Sequence, residues 1–434
     1  MEAARVSGDR FVVEGGRPVG GVLVPAGNKN EALPVLAATL LAPGACELEN
    51  VPAIRDVATM LEILGELGVA TGVAAAGEAL HVDSANLAPR PPSLELGASI
   101  RGSFLLAPGL LHRTGRAVLP RPGGDRIGRR RVDTHLHALR LLGAEVEVSE
   151  RQYHLRLAGR FRGGDIFLDE TSVMATENAV MAAAVASGRT RIANAASEPH
   201  VQGLCRMLVA MGARIAGIGT NVLEIEGVDA LRPVRHRVGP DHIEIGSFVA
   251  IAAMTGGELR IDGVEPDDLR MIELVFARLG VRVELRGRAL RVPPKQELVV
   301  QDDLGGAIPK VDDAPWPGFP SDLTSIALVL ATQARGTVLI HEKMFENRLF
   351  FVDRLIAMGA RVVLCDPHRA IVTGPAELQG DTLSSPDIRA GMALLAAALC
   401  ARGRSVIMNA HQVDRGYERI DARLRALGAE IVRT

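Results

Sequence analysis

The amino-acid sequence predicts an α/β protein built from six copies of one repeat, arranged as two lobes of three. The first supporting observation is a recurrent ending, in which leucines spaced three or four apart stop at a glycine and alternating apolar residues follow, as in "LRLLGAEVEV". A glycine suits the left-handed position that closes a helix, and the alternation is typical of a strand. These closing glycines are Gly68, Gly143, Gly212, Gly280, Gly359 and Gly428, which lie 68 to 79 residues apart.

The second observation is an Ala/Leu-rich helical pattern that precedes each ending and also stops at a glycine, as in "AVASGRTRIANA". The glycines of this series are Gly44, Gly115, Gly188, Gly257, Gly336 and Gly403, which lie 23 to 28 residues before the closing glycines. Each repeat therefore contains two helices with strands after both. A repeat of this length exceeds the roughly 20 to 50 residues of common solenoids.

The third observation is the length of 434 residues, which six such repeats fill. Six α/β repeats of this size indicate two domains of three repeats each. The apolar pattern is interrupted at "RPVRHRVGPDHIE", residues 232–244, where we place the internal boundary. A cleft between the two lobes is then the expected place for the active site.

Composition narrows the classes of function. The 49 basic and 51 acidic residues nearly balance, so the sequence does not favour a nucleic-acid or membrane-surface partner but leaves small anionic ligands open. We expect no membrane span and no signal peptide, because no apolar run reaches about 20 residues and the amino terminus lacks an apolar core. The cysteines Cys46, Cys205, Cys365 and Cys400 are far apart and form no CxxC pair, which predicts reduced core cysteines of a cytoplasmic protein.

The stretch "PGGDRIGRRRVD", residues 122–133, carries the most specific chemical signal. Two glycines free the backbone to present Asp125, and the arginines that follow can bind phosphate with two parallel hydrogen bonds. These arginines are Arg126, Arg129, Arg130 and Arg131. The alternative is a solvated charged hairpin, but Ile127 and Gly128 within the run favour a shaped loop.

A second anion site is indicated by "GNKNEALP". It places Lys29 and Asn30 directly before a helix with Pro34 in its first turn. Exposed amide hydrogens at a helix start, together with an ammonium group, can hold a phosphate or carboxylate. An ordinary helix cap is the alternative at this point.

Later segments place further charges at corresponding strand-to-helix junctions. In "APWPGFPSDLTS" a stiff apolar lead-in containing Trp316 reaches Asp322, which either belongs to a site or caps the next helix. The segments "MFENR", "SPDIRAG" and "DRGYERI" add the charged residues Glu346, Arg348, Asp387, Arg389, Asp414 and Arg415. Each could instead form a surface ion pair of small value. A metal site is not expected, because His135 and His137 diverge on a helix.

Together these segments resemble those of the enolpyruvyl transferases over nearly the whole chain. The matching segments, in the family's order and spacing, are Lys29-Asn30, "GGDRIGRRRVDTH", "SVMATENAVMAA", "NAASEPHV", "FPSDL", "MFENR", "DIRAG" and "DRGYERI". The resemblance implies a two-lobed inverse α/β barrel with three βαβαββ repeats per lobe. It places residues 1–26 and 239–434 in one lobe and residues 27–238, which carry the Asp125 loop, in the other.

The resemblance implies transfer of an enolpyruvyl group from phosphoenolpyruvate to a uridine nucleotide or nucleotide sugar, by addition followed by elimination of phosphate, without a metal or cofactor. In the members it resembles most, the acceptor is the 3-hydroxyl of UDP-N-acetylglucosamine and the product enters peptidoglycan synthesis. By position, the catalytic residues are Asp125 as proton donor, Asp322 as base, Lys29 and Arg415. The implied substrate-binding residues are Asn30, Arg101, Arg130, Arg131, Val132, Asp133, Ser172, Val173, Asp322, Met344, Arg348, Asp387 and Arg389.

The chain departs from the family at Asp125, where many members carry cysteine. An aspartate can donate a proton only when it is protonated, and neighbouring arginines oppose this. We therefore expect bound phosphoenolpyruvate to neutralise the arginines and restore the proton. Without the thiol, fosfomycin, which alkylates the family's cysteine, is not expected to inactivate this protein.

Further departures concern the acceptor and are Asn28, Arg131, Glu170 and Met174, which stand where alanine, proline, lysine and glycine are usual. An anion in place of a cation and a bulky side chain in place of glycine disfavour a diphosphate. A paralogue acting on UMP in nucleoside-antibiotic synthesis is therefore an alternative, and a non-catalytic binding relative is a second. We also expect the lobes to close around the acceptor with the Asp125 loop as a lid. The oligomeric state stays open.

Overall fold

The computed structural model describes residues 9–73, 79–88, 90–125 and 127–434. In these ranges the α-helices are α1 (Lys29–Ala38), α2 (Arg55–Glu66), α3 (Leu94–Ser99), α4 (Ala107–Thr114), α5 (Asp133–Leu141), α6 (Val173–Ala184), α7 (Pro199–Met211), α8 (His242–Thr255), α9 (Arg270–Arg278), α10 (Thr324–Gln333), α11 (Val352–Ala357), α12 (Ile388–Cys400) and α13 (Ile420–Ala426).

The strands of the same described ranges are short. They are β1 (Arg10–Glu14), β2 (Gly21–Leu23), β3 (Ala45–Glu49), β4 (Ala70–Val73), β5 (Ala79–Asp83), β6 (Arg116–Pro120), β7 (Glu145–Val148), β8 (Gln152–Arg156), β9 (Asp165–Phe167), β10 (Arg189–Ala193), β11 (Arg214–Ala216), β12 (Val222–Glu226), β13 (Arg235–Arg237), β14 (Leu259–Asp262), β15 (Glu284–Arg286), β16 (Ala289–Val292), β17 (Lys310–Asp312), β18 (Gly336–His341), β19 (Val362–Asp366), β20 (Arg369–Gly374), β21 (Thr382–Ser384), β22 (Arg404–Met408) and β23 (Glu430–Arg433).

The chain forms two compact units. Unit 1 contains residues 1–26, 125–129 and 240–434, and unit 2 contains residues 27–124 and 130–239. The segment 125–129 thus groups with unit 1 although its flanking residues belong to unit 2. Each unit has its own hydrophobic core.

Unit 1 contains three four-stranded sheets, with the strand orders β21-β22-β1-β23, β15-β16-β14-β2 and β17-β18-β20-β19. The third shows the repeat without interruption. Strand β17 runs parallel to β18 across the crossover helix α10, and β19 and β20 return as an antiparallel hairpin after α11. A parallel pair needs such a crossover, usually a helix. The first sheet is closed by the amino-terminal strand, since β1 pairs antiparallel with both β22 and β23.

Unit 2 contains two four-stranded sheets, β13-β3-β5-β4 and β11-β12-β10-β9, and one sheet of three described strands, β6-β8-β7. Among the described residues, the second repeat shows no parallel first strand like those of the other repeats. In the remaining features the predicted α/β repeat, two helices with strands after both, is confirmed.

The two helices of a repeat differ in their surroundings. In the first helices α6, α8, α10 and α12 nearly every residue is buried, which explains why "IALVLAT" and "GMALLAAAL" are apolar on all sides. In unit 1, α8, α10 and α12 pack against one another. The second helices, such as α9, bury only one face. Polar residues at the starts of the first helices are therefore carried by rigid, buried elements.

The closing glycines adopt the conformation that the repeat pattern predicts. All six closing glycines, from Gly68 to Gly428, have positive φ between 86° and 114°. In the earlier series Gly257 is an exception, because Gly256 closes α8 with a φ of 73°. The helix there ends one residue before the predicted position.

The four cysteines were expected to lie in the core. Cys46 and Cys205 are buried, but Cys365 is exposed on β19, so the prediction of core cysteines is wrong for that residue. It lies on a strand whose other side chains are also partly exposed. Within the described ranges, no helix combines the length and apolar character that crossing a membrane requires.

Candidate functional site

Asp322 is the centre of a charged cluster in unit 1. It lies in the 3-10 turn Ser321–Leu323 immediately before the buried helix α10. Its Oδ1 accepts a hydrogen bond of 2.8 Å from Nη2 of Arg348. Its Oδ2 accepts a hydrogen bond of 2.9 Å from Nε of Arg389, and Nη2 of the same arginine lies 2.7 Å from this oxygen. The capping position of α10 is occupied by Leu323, and the carboxylate of Asp322 contacts two arginines, so the structure favours a site over a simple cap.

The two arginines of this cluster are almost entirely buried. The side chain of Arg348 is 2% exposed and that of Arg389 is 5% exposed, whereas 26% of the Asp322 side chain reaches solvent. Burial lowers the pKa of each guanidinium, but Asp322 and other nearby acidic groups together outweigh burial and raise both values. Both arginines therefore stay charged beside a carboxylate that solvent can reach.

Asp387 is the amino-terminal cap of α12. Its Oδ1 accepts hydrogen bonds from the backbone N–H groups of Arg389 at 2.9 Å and Ala390 at 3.0 Å. Burial raises the pKa of Asp387, Arg348 opposes this shift, and the charge of Asp125 reinforces it. The cap thus fixes the start of the helix that presents Arg389, within electrostatic range of Asp125.

The Asp125 loop is a shaped loop within unit 1. Asp125 forms an ion pair with Nη1 of Arg415, which also donates to Oε1 of Gln412 at 3.3 Å. Ile127 is buried, and its carbonyl accepts the N–H of Asn347 at 3.0 Å. The N–H of Arg129 donates to Oε2 of Glu346 at 3.1 Å.

These contacts argue against a freely solvated hairpin. One of the four arginines of the run, Arg126, lies outside the described residues. The "MFENR" segment thus holds the loop with Glu346 and Asn347 and supplies Arg348 to Asp322. Met344 in the same segment is exposed.

In unit 2, Lys29 and Asn30 lie within the first turn of α1, and Asn28 caps it by accepting the N–H groups of Asn30 at 2.9 Å and Glu31 at 3.2 Å. The helix thus begins at Lys29, before the predicted start. Consequently Pro34 is the sixth helical residue, and its predicted place in the first turn is wrong.

The ammonium group of Lys29 is nearly buried and lies 2.9 Å from Oδ2 of Asp56. Asp56 is itself buried in the first turn of α2. A buried carboxylate therefore fixes the position of the ammonium group at the start of α1.

A second group of cations in unit 2 contains Arg101, Arg130 and Arg131. Nη2 of Arg101 donates to the carbonyl of Arg131 at 2.7 Å. Burial and the charge of Arg130 lower the pKa of Arg101 to about 10, and Glu170 acts in the opposite direction. Two guanidinium groups that repel each other in a partly buried place are suited to an anionic ligand.

Arg131, the residue where proline is usual, is held by acidic neighbours. Its Nη2 lies 3.0 Å from Oδ2 of Asp169 and its Nε lies 3.4 Å from Oδ2 of Asp133. Asp169 also accepts a 2.7 Å bond from the hydroxyl of Thr134. Local carboxylates therefore neutralise the extra arginine.

The remaining predicted residues of unit 2 lie at helix starts. Val132 is buried directly before α5, and Asp133 is the first residue of that helix. Ser172 caps α6 by accepting the N–H of Ala175 at 3.4 Å, and Val173 begins the helix. Met174 packs partly buried against the core of unit 2.

The structure thus brings the predicted residues together in two groups. Asp322 contacts Arg348 and Arg389 directly. Asp387 links this cluster electrostatically to Asp125 and its partner Arg415. In unit 2, Arg101, Arg130 and Arg131 form a second group, whereas Lys29 forms an ion pair with Asp56.

Sequence reasoning missed the residues behind Asp322. The preceding residue, Ser321, donates its hydroxyl to the buried carboxyl of Glu342, with distances of 2.9 and 3.0 Å to the two oxygens. The backbone N–H groups of Met344 and Phe345 also point to Oε1 of Glu342, at 3.3 and 3.1 Å. A carboxylate at the end of the apolar run "TVLIHE" was the available signal.

No group of three or more potential metal ligands occurs among the described residues. His135 is buried, shares a 3.0 Å hydrogen bond with the Asn178 amide, and has a pKa lowered to about 3 by burial and then by Arg101. His137 is exposed. The two histidines therefore have separate environments, as their spacing predicts.

Residues 13–424 match the family model of EPSP synthase, 3-phosphoshikimate 1-carboxyvinyltransferase. The chain is 54% identical over 426 residues to a protein of Treponema denticola named UDP-N-acetylglucosamine 1-carboxyvinyltransferase, covering 97% of this chain and 98% of the relative. A protein of the same name from Bradyrhizobium diazoefficiens is 53% identical over 424 residues, covering 98% of each chain.

Solved structures show the same fold. The enolpyruvyl transferase NikO of Streptomyces tendae is 26% identical, has a TM-score of 0.86, and is matched over 98% of this chain and 99% of its own. EPSP synthase of Acinetobacter baumannii, at 18% identity and a TM-score of 0.72 over 98% and 99% of the two chains, shares the fold. The predicted inverse α/β barrel fold class is confirmed.

Proposed function

Because the chain belongs to the EPSP synthase family of enolpyruvyl (1-carboxyvinyl) transferases, we propose that it acts on UDP-N-acetylglucosamine. It transfers the enolpyruvyl group of phosphoenolpyruvate to the 3-hydroxyl of this sugar nucleotide and releases phosphate. The observation that carries the proposal is 54% identity, across 97% of the chain, to a relative named for this reaction. The product enters peptidoglycan synthesis, and the free cysteines agree with a reducing, cytoplasmic location.

The reaction balances without a cofactor. The acceptor oxygen bonds to C2 of phosphoenolpyruvate, a base takes the hydroxyl proton, and an acid protonates the C3 methylene. Loss of a proton from C3 then restores the double bond as the bond between C2 and the phosphate oxygen breaks. The protein must supply one base, one acid, and cations for the carboxylate and phosphate groups.

We assign the base to Asp322. Its two buried arginines hold the carboxylate in one orientation while part of its surface stays open to solvent. The acceptor hydroxyl can therefore approach the exposed part of the carboxylate while both arginines keep it in place.

We assign the proton donor to Asp125. In the free protein Arg415 pairs with Asp125. An arginine favours the ionised form of a carboxyl group beside it, so Asp125 can hold the proton that C3 receives when Arg415 instead binds phosphoenolpyruvate. A kcat profile of the substrate complex in which no acidic group titrates above about pH 5 would contradict this role.

In unit 2 we assign the anion-binding role to Lys29, Arg101 and Arg130. Each contributes positive charge at or near a helix start, where backbone N–H groups add to anion binding. Contacts with the acceptor nucleotide are assigned to Val132, Asp133, Ser172 and Val173 at the starts of α5 and α6. In unit 1, the exposed Met344 is kept as a substrate-binding candidate. Asn30 and Asp387 complete the substrate-binding set.

The departures that favoured a UMP-specific paralogue are weaker in their structural setting. Asp133 and Asp169 neutralise Arg131, and Met174 packs against the core of unit 2. The relatives named for UDP-N-acetylglucosamine are also twice as similar to this chain as NikO, at 54% against 26% identity. The contacts of Arg131 and Met174 and the higher identity both support the nucleotide sugar as acceptor.

A phosphate-release assay with phosphoenolpyruvate tests the proposal. UDP-N-acetylglucosamine, UMP and shikimate 3-phosphate are offered in parallel, and each product is identified by mass spectrometry. We expect turnover with UDP-N-acetylglucosamine alone. Preferred turnover of UMP would assign the chain to the paralogue, and binding without phosphate release would assign it to a non-catalytic relative.

A further inference from the structure

We propose that Glu342 and Asp313 share one proton inside unit 1, and that this neutral acid and its partner position the proposed base Asp322. The proposal rests on the function proposed above for the rate measurements, but the shared proton itself is measurable without substrate. It assigns a role to two side chains that the chemistry of the transfer does not call for directly.

The fold places these two side chains next to each other. Strands β17 and β18 run parallel, with Asp312 opposite His341, so Asp313 and Glu342 follow at the same edge of the sheet. Both residues are 0% exposed. Two carboxylates cannot both stay ionised at such a place, because burial and mutual repulsion favour one shared proton.

The hydrogen bonds indicate which group carries the proton. Oδ1 of Asp313 accepts the N–H of Lys343, whereas its buried Oδ2 has no partner among the described donors. A protonated Glu342 supplies that donor. Burial, and next the hydrogen bond with Asp313, raise the pKa of Glu342 to about 8.

Several other groups face Glu342. The charge of Arg348 and the hydroxyl of Ser321 lower its pKa, and Nδ1 of His368 shares a 2.7 Å hydrogen bond with its backbone carbonyl. These effects do not cancel burial, so Glu342 is neutral at pH 7.

The neutral state of Glu342 matters because of Arg348. Nε of Arg348 donates to the Ser321 hydroxyl at 3.3 Å, and that hydroxyl donates to Glu342. Nη2 of the same guanidinium donates to Asp322. If Glu342 were ionised, it would compete with Asp322 for the single positive charge of Arg348. A proton held between Glu342 and Asp313 removes this competition.

Two isosteric amides test the positioning role because their effects on the rate should be unequal. In Glu342→Gln the amide can donate to Asp313 and accept from Ser321, as the protonated acid does. We expect kcat/KM within about threefold of the wild-type value at pH 7. If loss of the shared proton makes the wild-type kcat/KM fall above pH 8, that fall should be absent in this variant. In Asp313→Asn, Glu342 loses its acceptor and like-charged neighbour, ionises at lower pH and competes for Arg348. We expect a fall of about tenfold in kcat/KM, with partial recovery at lower pH.

The double variant Glu342→Gln, Asp313→Asn is neutral again and should recover most of the lost activity. A residue pair with only a packing role would lose activity in both single variants and more in the double variant. That result, or equal losses in the two single variants, would overturn the positioning role. Circular dichroism at pH 7 confirms that each variant is folded before rates are compared.

Stability provides a readout with a defined sign. The folded-state pKa of Glu342 lies above the ordinary value of 4.5, so the stabilising effect of the neutral acid is full below about pH 4.5 and is lost as the pH rises to about 8. Glutamine stays neutral throughout. The melting temperature of Glu342→Gln, relative to wild type, should therefore rise across this pH window and level off above it. A constant difference would contradict the shared proton.

Infrared difference spectroscopy tests the proton directly. The wild-type minus Glu342→Gln spectrum at pH 7 should contain the carbonyl stretch of a protonated carboxylic acid, which disappears above about pH 8. Absence of this band overturns the inference even if the wild type is active. If the wild type has the band but does not release phosphate, the proposed function fails while the shared proton stands.

Discussion

The two proposed proton-transfer carboxylates of unit 1 are held in different ways. Asp322 accepts hydrogen bonds from two arginines and forms ion pairs with both, each arginine being at most 5% exposed, at the start of the buried helix α10. Asp125 lies on a loop and pairs with one arginine, Arg415, whose side chain is 14% exposed. The base is therefore oriented by the core, whereas the position of the acid depends on one contact that substrate can replace.

This difference agrees with the tasks proposed for the two groups. A base must have its acceptor oxygen in place before the hydroxyl arrives. Buried partners that hydrogen-bond to the carboxylate keep that oxygen in position. An acid beside arginines must first lose their influence before it can carry a proton. The largest expected effects come from substitutions that remove either carboxylate.

Asp322→Asn should have the largest effect. It removes the proposed base and leaves two buried arginines without a full negative charge, so we expect kcat to fall about 10³-fold, within the range for general bases. Phosphate release measures it. Asp414→Asn is the matched control, because Asp414 pairs with Arg433 in the same unit and has no assigned role. A loss of less than tenfold in Asp322→Asn would exclude it as the base.

The activity of variants at position 125 should depend on whether the new side chain can donate a proton. Asp125→Asn cannot donate the proton, and we expect a loss in kcat of about 10²-fold. Asp125→Cys restores an acidic group and should retain more activity. It should also become sensitive to fosfomycin, with time-dependent inactivation and a covalent adduct at residue 125. Inactivation of the wild type with an adduct on this loop would refute the expected insensitivity.

Exchanging Arg389 or Arg415 for lysine compares the ion pairs of Asp322 and Asp125 directly. Arg389→Lys keeps the charge but loses the two-point contact with Asp322 inside the core, which should lower stability by about 1 to 3 kcal/mol. Arg415→Lys should change the melting temperature less and act mainly by raising the KM for phosphoenolpyruvate. Thermal unfolding and steady-state kinetics of both variants measure this. Equal stability losses would show that the two carboxylates are held alike.

Arg131→Pro should have the smallest effect. Arg131 contacts the exposed carboxylates of Asp133 and Asp169, and such surface pairs contribute little. We expect the KM for UDP-N-acetylglucosamine to change by no more than about threefold. A larger change, or a switch of preference toward UMP, would make Arg131 a determinant of acceptor choice.

The repeat architecture was predictable because its signals are local. A glycine that closes a helix and an apolar face of fixed period are properties of neighbouring residues. The candidates at helix starts were predictable for the same reason. Asn28, Ser172 and Asp387 follow the ordinary preferences of capping residues. The start of α1 was misplaced because the capping residue, Asn28, was taken as part of a loop before the helix.

The partners of the candidate residues were not predictable from local pattern. Lys29 meets Asp56, and Arg131 meets Asp169, through packing between different elements. Glu342 and Asp313 are 29 positions apart and meet only because β17 and β18 pair in one particular register. A shift of that register by one residue would turn one of the two side chains to the other face of the sheet.

The sequence by itself determined the six repeats, the Ala/Leu-rich character of the first helix in each repeat and the placement of charged residues at helix starts. These features follow from residue spacing, apolar periodicity and capping preferences, which act over a few residues. Tertiary structure alone decided that Asp322 lies between Arg348 and Arg389 and that Asp125 meets Arg415. Those contacts join segments far apart in the chain, and burial then determines how strongly each charge acts on its neighbour.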